Sequence, residues 1–389
     1  MARQRQIRIC REGLYYTLVV LAVLIGAFSR QLNLLMLLGS MLAGPLLFSL
    51  IYGRMALRHL VVARRLPPQL RAQERLRVDV TVANGHRWLG VWALQVEDVV
   101  QREEATPTRA EGAKVSVFFP NIAKRETQEI SYEGYLPQRG RYHFGPLRIS
   151  TRFPLGLIRH SRVIEGDEVL LVQPPLGQLN RQGAQILREN MAGSQRAQRQ
   201  GLLEADFYGL RDWRPGDSRR WIHWRTSARR GTLVVRQFEQ RRSQDLALLV
   251  DLWQPPAAGK EHRERVETAV SFVATLLADA CRQPGRGLIV NLAAAEPWHR
   301  SGAASPLFFR EHMDALSLVK AHEQEAFPRS LGHALALVPF SMPTLIVSTR
   351  AIDWDALQAA AAERESQVAG RRLQSVNVAS DELSQFFHG

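Results

Sequence analysis

Cysteine is nearly missing from this sequence: Cys10 and Cys281 are the only two in 389 residues. Two thiols so widely spaced make no disulfide framework, and a structural zinc site needs clustered ligands. Both are expected to be structural thiols of a reduced compartment. Cys10 stands before the first apolar run, and Cys281 ends an apolar helical pattern. Acidic residues are also in deficit. Thirty-seven Asp and Glu face 51 Lys and Arg, leaving a formal net charge of +14. Catalytic signatures are missing too. No Gly-x-x-x-x-Gly-Lys-Ser/Thr run occurs, which removes P-loop ATP hydrolysis from consideration. Neither a Gly-x-Ser-x-Gly elbow nor a His-Glu-x-x-His pair is present.

What is present describes a folded protein: 46% of the residues are hydrophobic and 23% charged. A compact domain takes about 100–200 residues, so the length fits two soluble domains and an appendage. The basic excess suits a nucleic acid, an anionic membrane surface or an acidic protein partner, depending on where the charge sits.

Residues Leu14 to Tyr52 are apolar almost throughout, broken only by Ser29-Arg30-Gln31 and Asn33. The break leaves two segments, Leu14–Phe28 and Leu34–Ile51, close to the ~20 residues a helix needs to cross hydrocarbon. Gly39, Gly44 and Pro45 are tolerated in such helices. Arg3, Arg5, Arg8 and Arg11 precede the first segment, and Arg54, Arg58, Arg64, Arg65 and Arg71 follow the second. Positive flanks stay in the cytoplasm, so both ends are expected inside and the turn outside. Tyr15, Tyr16 and Tyr52 suggest an aromatic belt at the inner edge. A cleaved signal peptide would have one apolar core and no second run directly behind it. A buried hairpin would have a polar face, which neither segment has.

From Gln73 to Pro174 the pattern changes to short alternating runs. Leu76–Val82 and Val91–Glu97 alternate apolar and polar residues. Lys114–Phe119, Glu126–Tyr132, Arg141–Ile149 and Glu168–Val172 are further strand candidates, separated by turn residues. This spacing predicts a small antiparallel β-sandwich.

Residues 181–242 carry fourteen arginines and six acidic residues, more than half of the chain's excess charge. Pro215-Gly216-Asp217 is a tight turn, since Pro presets φ and Gly accepts a positive one. Asp217 is placed to cap the following element and to pair with Arg219 or Arg220. Trp221, Trp224 and Ala228 recur at helical spacing, predicting an apolar stripe on a short helix with Arg220, Arg225 and Arg229 on its other faces. Asp217, His223 and Ser227 invite comparison with a nucleophile triad, but closeness in sequence is not geometry.

On these residues the chain resembles the DUF58 family of bacterial proteins. The shared pattern is Arg211, Trp213, Pro215-Gly216-Asp217, Arg220, Ile222-His223-Trp224 and Ser227-Ala228-Arg229. Upstream, Arg139-Gly140, Gly145-Pro146 and Phe153-Pro154-Leu155-Gly156-Leu157 are also similar, although the family more often has Pro-Phe-Gly-Leu there. The two-helix amino terminus matches as well. The resemblance implies a fold and a genomic neighbour, a MoxR-type AAA+ ATPase. It implies no known reaction.

Beyond residue 242, strand and helix patterns alternate: strands at Asp245–Asp251, Gly287–Leu292, Thr344–Ser348 and Leu373–Val378, and helices at Glu261–Arg282, Glu311–Lys320 and Asp353–Glu363. That order predicts a parallel sheet covered on both faces, and it is similar to a von Willebrand factor A-like domain. The resemblance implies a metal site Asp-x-Ser-x-Ser after the first strand. Here Asp251-Leu252-Trp253-Gln254-Pro255 lacks both serines, and one carboxylate makes a poor site for a hard cation. The expected role of Asp251 is to cap the next element.

The expected architecture is therefore α+β and multi-domain. Residues 1–60 form a membrane anchor with two transmembrane helices, and 73–175 a β-rich sandwich-like domain. Residues 176–242 form the Arg/Trp segment, and 243–389 an α/β von Willebrand factor A-like (Rossmann-like) domain. Arg211, Trp213, Pro215, Gly216, Asp217, Arg220, His223, Trp224, Ser227 and Arg229 are the candidate interaction residues. No catalytic residue, cofactor or metal is expected. The expected partners are the phospholipid membrane and the ATPase, with the protein acting as a non-catalytic scaffold. Two alternatives stay open: the basic segment binding nucleic acid or anionic lipid, and an enzyme acting on envelope precursors.

Overall fold

The computed structural model describes residues 5–103, 113–180, 207–214, 217–238, 245–282, 286–324, 329–340, 342–362, 368, 370–371, 373–380, 383 and 387–388. Two amino-terminal apolar helices are followed by sheets and helices in an α+β layout, with seven α-helices among the described residues. The chain forms two compact units, Met1–Pro175 and Leu176–Gly389.

The first unit opens with β1 (Arg5–Ile9) and two helices, α1 (Arg11–Arg30) and α2 (Asn33–Ala56). Both helices are long and apolar enough to cross a membrane, and little of either is buried in the protein. They join at a turn where Gln31 takes a left-handed conformation. Ten further strands follow: β2 (Leu60–Arg65), β3 (Leu70–Arg71), β4 (Arg75–Asn84), β5 (Val91–Arg102), β6 (Ala113–Ile122), β7 (Thr127–Tyr135), β8 (Gly140–Phe144), β9 (Leu147–Thr151), β10 (Ile158–Ile164) and β11 (Glu168–Gln173). One sheet has the order β1-β10-β9-β5-β8-β11-β3, with β6 also on β5; the other is β2-β4-β7.

Strict alternation in β4 buries Val78, Val80 and Val82 and leaves the intervening residues toward solvent. This is the signature of a sheet with one covered face. Val62, Val80 and Val82 of the smaller sheet meet Leu94, Phe119, Ile122 and Ile149 of the larger one in a shared apolar cluster. Full burial of each such side chain contributes about 1.5–3 kcal/mol relative to exposure.

Two residues expected to face the membrane edge turn inward instead. Arg64 is inside the unit: its Nη1 meets Asp98 Oδ1 at 2.6 Å and its Nε meets Glu168 at 3.1 Å. Its guanidinium lies over the Phe144 ring. Tyr132 donates to the other Asp98 oxygen at 2.7 Å, and burial together with that carboxylate pushes the Tyr132 phenol well above its usual value. Tyr52 is also buried. Its hydroxyl donates to Gly90 O and accepts from Trp92 N, so it joins α2 to the sheets rather than facing lipid.

The second unit begins with β12 (Gln178–Leu179), then β13 (Phe207–Asp212), a 3-10 turn (Arg219–Trp221), α3 (Trp224–Arg230) and β14 (Val234–Phe238). Its main sheet contains β15 (Leu246–Asp251), β16 (Gly287–Ala293), β17 (Trp298–Ala303), β18 (Thr344–Ser348) and β19 (Leu373–Asn377), in the order β17-β16-β15-β18-β19. All pairings are parallel except that of β17 on β16. Every residue of β15 is buried, as a central parallel strand covered on both faces requires.

The helices of this unit are α4 (Lys260–Cys281), α5 (Pro306–Leu318), α6 (Arg329–Leu337) and α7 (Trp354–Ala362), and β20 (Phe387–His388) pairs with β12. One cluster packs Leu248 and Val250 against the α4 face of Ala269 to Ala280 and against α5; another packs Leu249 and Ile346 against α6 and α7. The sequence pattern missed the exposed edge strand β17 and the short α6, and ran β8 and β9 together across Gly145-Pro146.

Candidate functional site

The Arg/Trp segment is a hairpin, β13 on β14, that carries the 3-10 turn and α3 in its connection. Arg211 on β13 grips Asp217 with both terminal nitrogens, Nη1 to Oδ2 and Nη2 to Oδ1, each at 2.7 Å. The Arg214 amide donates to the same carboxylate at 2.9 Å, and the Asp217 amide returns a bond to Arg214 O. A planar guanidinium fits a carboxylate at two points, which fixes geometry as Lys could not. Arg211 and the Arg214 amide hold the Asp217 carboxyl below the usual carboxylate range, and Asp217 raises the Arg211 guanidinium in turn. Asp217 therefore neither caps α3 nor pairs with Arg219 or Arg220. Its partner lies upstream and closes the turn. Pro215 and Gly216 lie outside the described residues.

His223 is the N-cap of α3, its Nδ1 accepting from the Thr226 amide at 3.2 Å. Its own amide donates to Val234 O. Buried Ser227 accepts from the Val234 amide at 2.9 Å and donates to the main-chain oxygen of His223 at 3.2 Å. These bonds stitch α3 to β14. They also leave no triad: the Ser227 hydroxyl contacts the His223 backbone rather than its ring, and Asp217 is engaged by Arg211.

The expected apolar stripe is not formed. Trp221 sits in the 3-10 turn, one residue pair before α3 begins, so it does not share a helix with Trp224 and Ala228. Ile222 and Ser227 are the buried residues instead. Trp224 is 65% exposed, and Arg214, Arg219, Arg220, Arg225, Arg229 and Arg230 are exposed beside it in sequence. Trp213 is half-buried, and its amide donates to Leu233 O.

A second polar cluster lies at the carboxyl ends of β15 and β18, where ligands gather in doubly wound sheets. Asp251 is fully buried. Its Oδ1 accepts from His322 Nε2 at 2.8 Å, and its Oδ2 from Ser348 Oγ and Arg350 Nε, both at 3.0 Å. Arg350 also lies over the Trp253 ring. Asp251 thus caps no helix. The Arg350 guanidinium supplies positive charge where a cation would act, and both carboxylate oxygens are spent, so these residues do not fit a divalent metal. Among the described residues no three of His, Cys, Asp and Glu are gathered as ligands. Sequence reasoning singled out Asp251 alone. Ser348 ends a recognised strand and Arg350 follows it, so both could have been found from the rule that parallel strands gather their carboxyl ends.

Residues 209–297 match the family model described as a protein of unknown function, DUF58. The chain is similar to the uncharacterized protein YeaD of Bacillus subtilis strain 168, with 30% identity over 210 residues, 54% of this chain and 50% of that protein. The match spans about half the length of that relative. Among solved structures, the C-terminal domain of wzt aligns at TM-score 0.23 and 9% identity, over 30% of this chain and 75% of that one. The CARDB domain of PF1109 from Pyrococcus furiosus aligns at 0.20 and 14%, over 29% and 94%. Neither supports an argument at such scores. The matched residues 209–297 begin in β13 and run through the Arg211–Asp217 fork to β16; over that stretch the chain is similar to the DUF58 family.

Proposed function

We propose that the protein is a non-catalytic scaffold, anchored by α1 and α2 in the bacterial inner membrane, that presents the segment around α3 to a MoxR-type AAA+ ATPase. The observation carrying this reading is the division of labour in that segment. The Arg211–Asp217 fork and Ser227 hold its frame from within, while Trp224 and a row of arginines face outward. Exposed Trp and Arg are the side chains that most often dominate binding energy, and a rigid frame lowers the entropic cost of presenting them.

The arginine flanks of the helical hairpin support a cytoplasmic location for both soluble units. The second unit, with its antiparallel edge strand β17, is read as von Willebrand factor A-like with a metal position replaced by the Asp251–Arg350 pair. The same Arg and Trp face also favours a second reading, contact with single-stranded nucleic acid. A steep fall of binding with salt would favour it.

The test is a photo-crosslinker at Trp224 in the full chain, expressed with the ATPase. A crosslink to the ATPase is expected, and its absence from both nucleotide states would contradict the proposal. Topology is tested separately. A cysteine at Gln31 is expected to react with a membrane-impermeant reagent in spheroplasts; protection there would overturn the orientation.

A further inference from the structure

The end of the first unit that adjoins the hairpin carries large apolar side chains with no partner in its cores. Trp88 is 88% exposed at the tip of the loop between β4 and β5, and Leu155 is 56% exposed in the turn between β9 and β10. Ile9, the last residue of β1, is 61% exposed.

Each of these segments is tied to a helix end. His86 Nε2 reaches Met55 O at 2.6 Å, and the Tyr52 hydroxyl donates to Gly90 O at 2.9 Å. These bonds hold the Trp88 loop from both sides against the last turn of α2. The Leu157 carbonyl accepts from the Cys10 amide at 2.9 Å at the start of α1. A Cβ at Gly13 would strike that carbonyl, and one at Gly53 would strike the His160 ring. Helices and sheets therefore approach as closely as backbone allows. The exposed tips are fixed in height relative to the helices.

Arg87 and Arg152 flank the two tips and are exposed. Along the sequence the one acidic residue beside these helix ends and tips is Glu12; Glu126 lies at the base of the Trp88 loop, its main-chain oxygen accepting from the Asn84 amide and its carboxylate from the Ala123 amide. An apolar tip beside Arg is the composition that settles at the boundary between headgroups and acyl chains.

We propose that this end of the unit is a lipid-binding surface on the leaflet the hairpin enters. Trp88, Leu155 and Ile9 sit at the acyl boundary, and Arg87 and Arg152 at the level of the lipid phosphates. The unit is thereby held at the bilayer by its loops as well as by its helices. This rests on the hairpin crossing the membrane.

The test uses the full chain with Cys10→Ser and Cys281→Ser, reconstituted in vesicles of phosphatidylcholine and phosphatidylglycerol. Single cysteines at Trp88, Leu155, Leu21 and Tyr135 carry a fluorophore, and lipids bearing nitroxides at the headgroup or deep in the chain are the quenchers. Tyr135 is the reference. It is exposed and pairs with Arg75 at the far end of β4, ten residues and roughly 30 Å from the Trp88 loop.

The expected result is deep quenching at Leu21, with headgroup quenching at Trp88 and Leu155 several-fold stronger than at Tyr135. Quenching at Leu21 with Trp88 and Leu155 no different from Tyr135 overturns this proposal and leaves the anchor standing. No quenching at Leu21 overturns the anchor and this proposal together. Labels at the exposed neighbours Arg87 and Arg152 give the same comparison if a label at a tip disturbs folding.

Discussion

Arg211 holds both oxygens of Asp217 across six residues, and the turn between them is closed by that grip. Arg211→Lys keeps the charge but offers a single point contact. It is expected to raise amide exchange over residues 217–230, and Asp217→Asn to raise it more. A hydrogen-exchange comparison of the full chain checks this, and unchanged protection in Asp217→Asn would show that the fork is incidental. The sign of the pH dependence follows from the lowered Asp217 carboxyl. Its contribution is present above the ordinary carboxylate value of about 3.9 and is lost as pH falls through the lower folded value. Protection of this segment is therefore expected to be flat from neutral pH down to about 4.

Ser227 is the other support of that segment. Ser227→Ala leaves the buried Val234 amide without its acceptor. An unsatisfied buried donor costs about 1–3 kcal/mol. Lower thermal stability with unaltered helix content, measured by circular dichroism in detergent, is the expected outcome. An enzyme with Ser227 as nucleophile would instead lose activity without losing stability.

The Asp251 cluster yields an asymmetric pair. Asp251→Ala leaves Arg350 and His322 facing a vacated acceptor. Breaking a buried pair from one side costs about 3–5 kcal/mol. Arg350→Met combined with Asp251→Leu removes both charges and is expected to recover most of that loss. Equal melting temperatures for the single and double variants would contradict the pairing.

His312 supplies a pH signature in the second unit. It is buried between the Phe308 and Trp298 rings, and its Nδ1 donates to Phe308 O at 2.6 Å. Burial pushes the imidazole down to about 4. In the unfolded chain it takes up a proton near 6.5, earlier than in the folded one. Stability therefore falls as pH drops from about 6.5 to 4, by at most about 3 kcal/mol. Melting temperatures of the native chain and His312→Phe at pH 7 and pH 5 are expected to converge in the variant.

Elements whose burial has a simple period were readable from the sequence. Leu76–Val82 alternates because one face of β4 is covered, and β15 is a continuous apolar run because both of its faces are. The helical face of Val266 to Ala280 was equally plain. Other readings failed because they depend on a partner outside the segment itself. The strand β2 reads as a basic flank because Arg64 turns inward to Asp98, 34 residues away. The tryptophan stripe failed because the helix starts at Trp224, and a hydroxyl, Ser227, defines its inner face. Within the candidate site, the residue types were legible, but the pairing of Arg211 with Asp217 was not. An arginine-rich segment offers an acidic residue many partners, and only the hairpin geometry selects one.

The central claim concerns the outward face of α3, and affinity for the ATPase measures it most directly. The full chain in nanodiscs would be titrated with the MoxR-type ATPase, with and without ATP, beside Trp224→Ala and Arg225→Glu/Arg229→Glu. The expected result is nucleotide-dependent binding weakened about thirtyfold by Trp224→Ala, equivalent to a hot spot of about 2 kcal/mol. Binding of undiminished strength in folded variants, or no binding in either nucleotide state, would contradict the account.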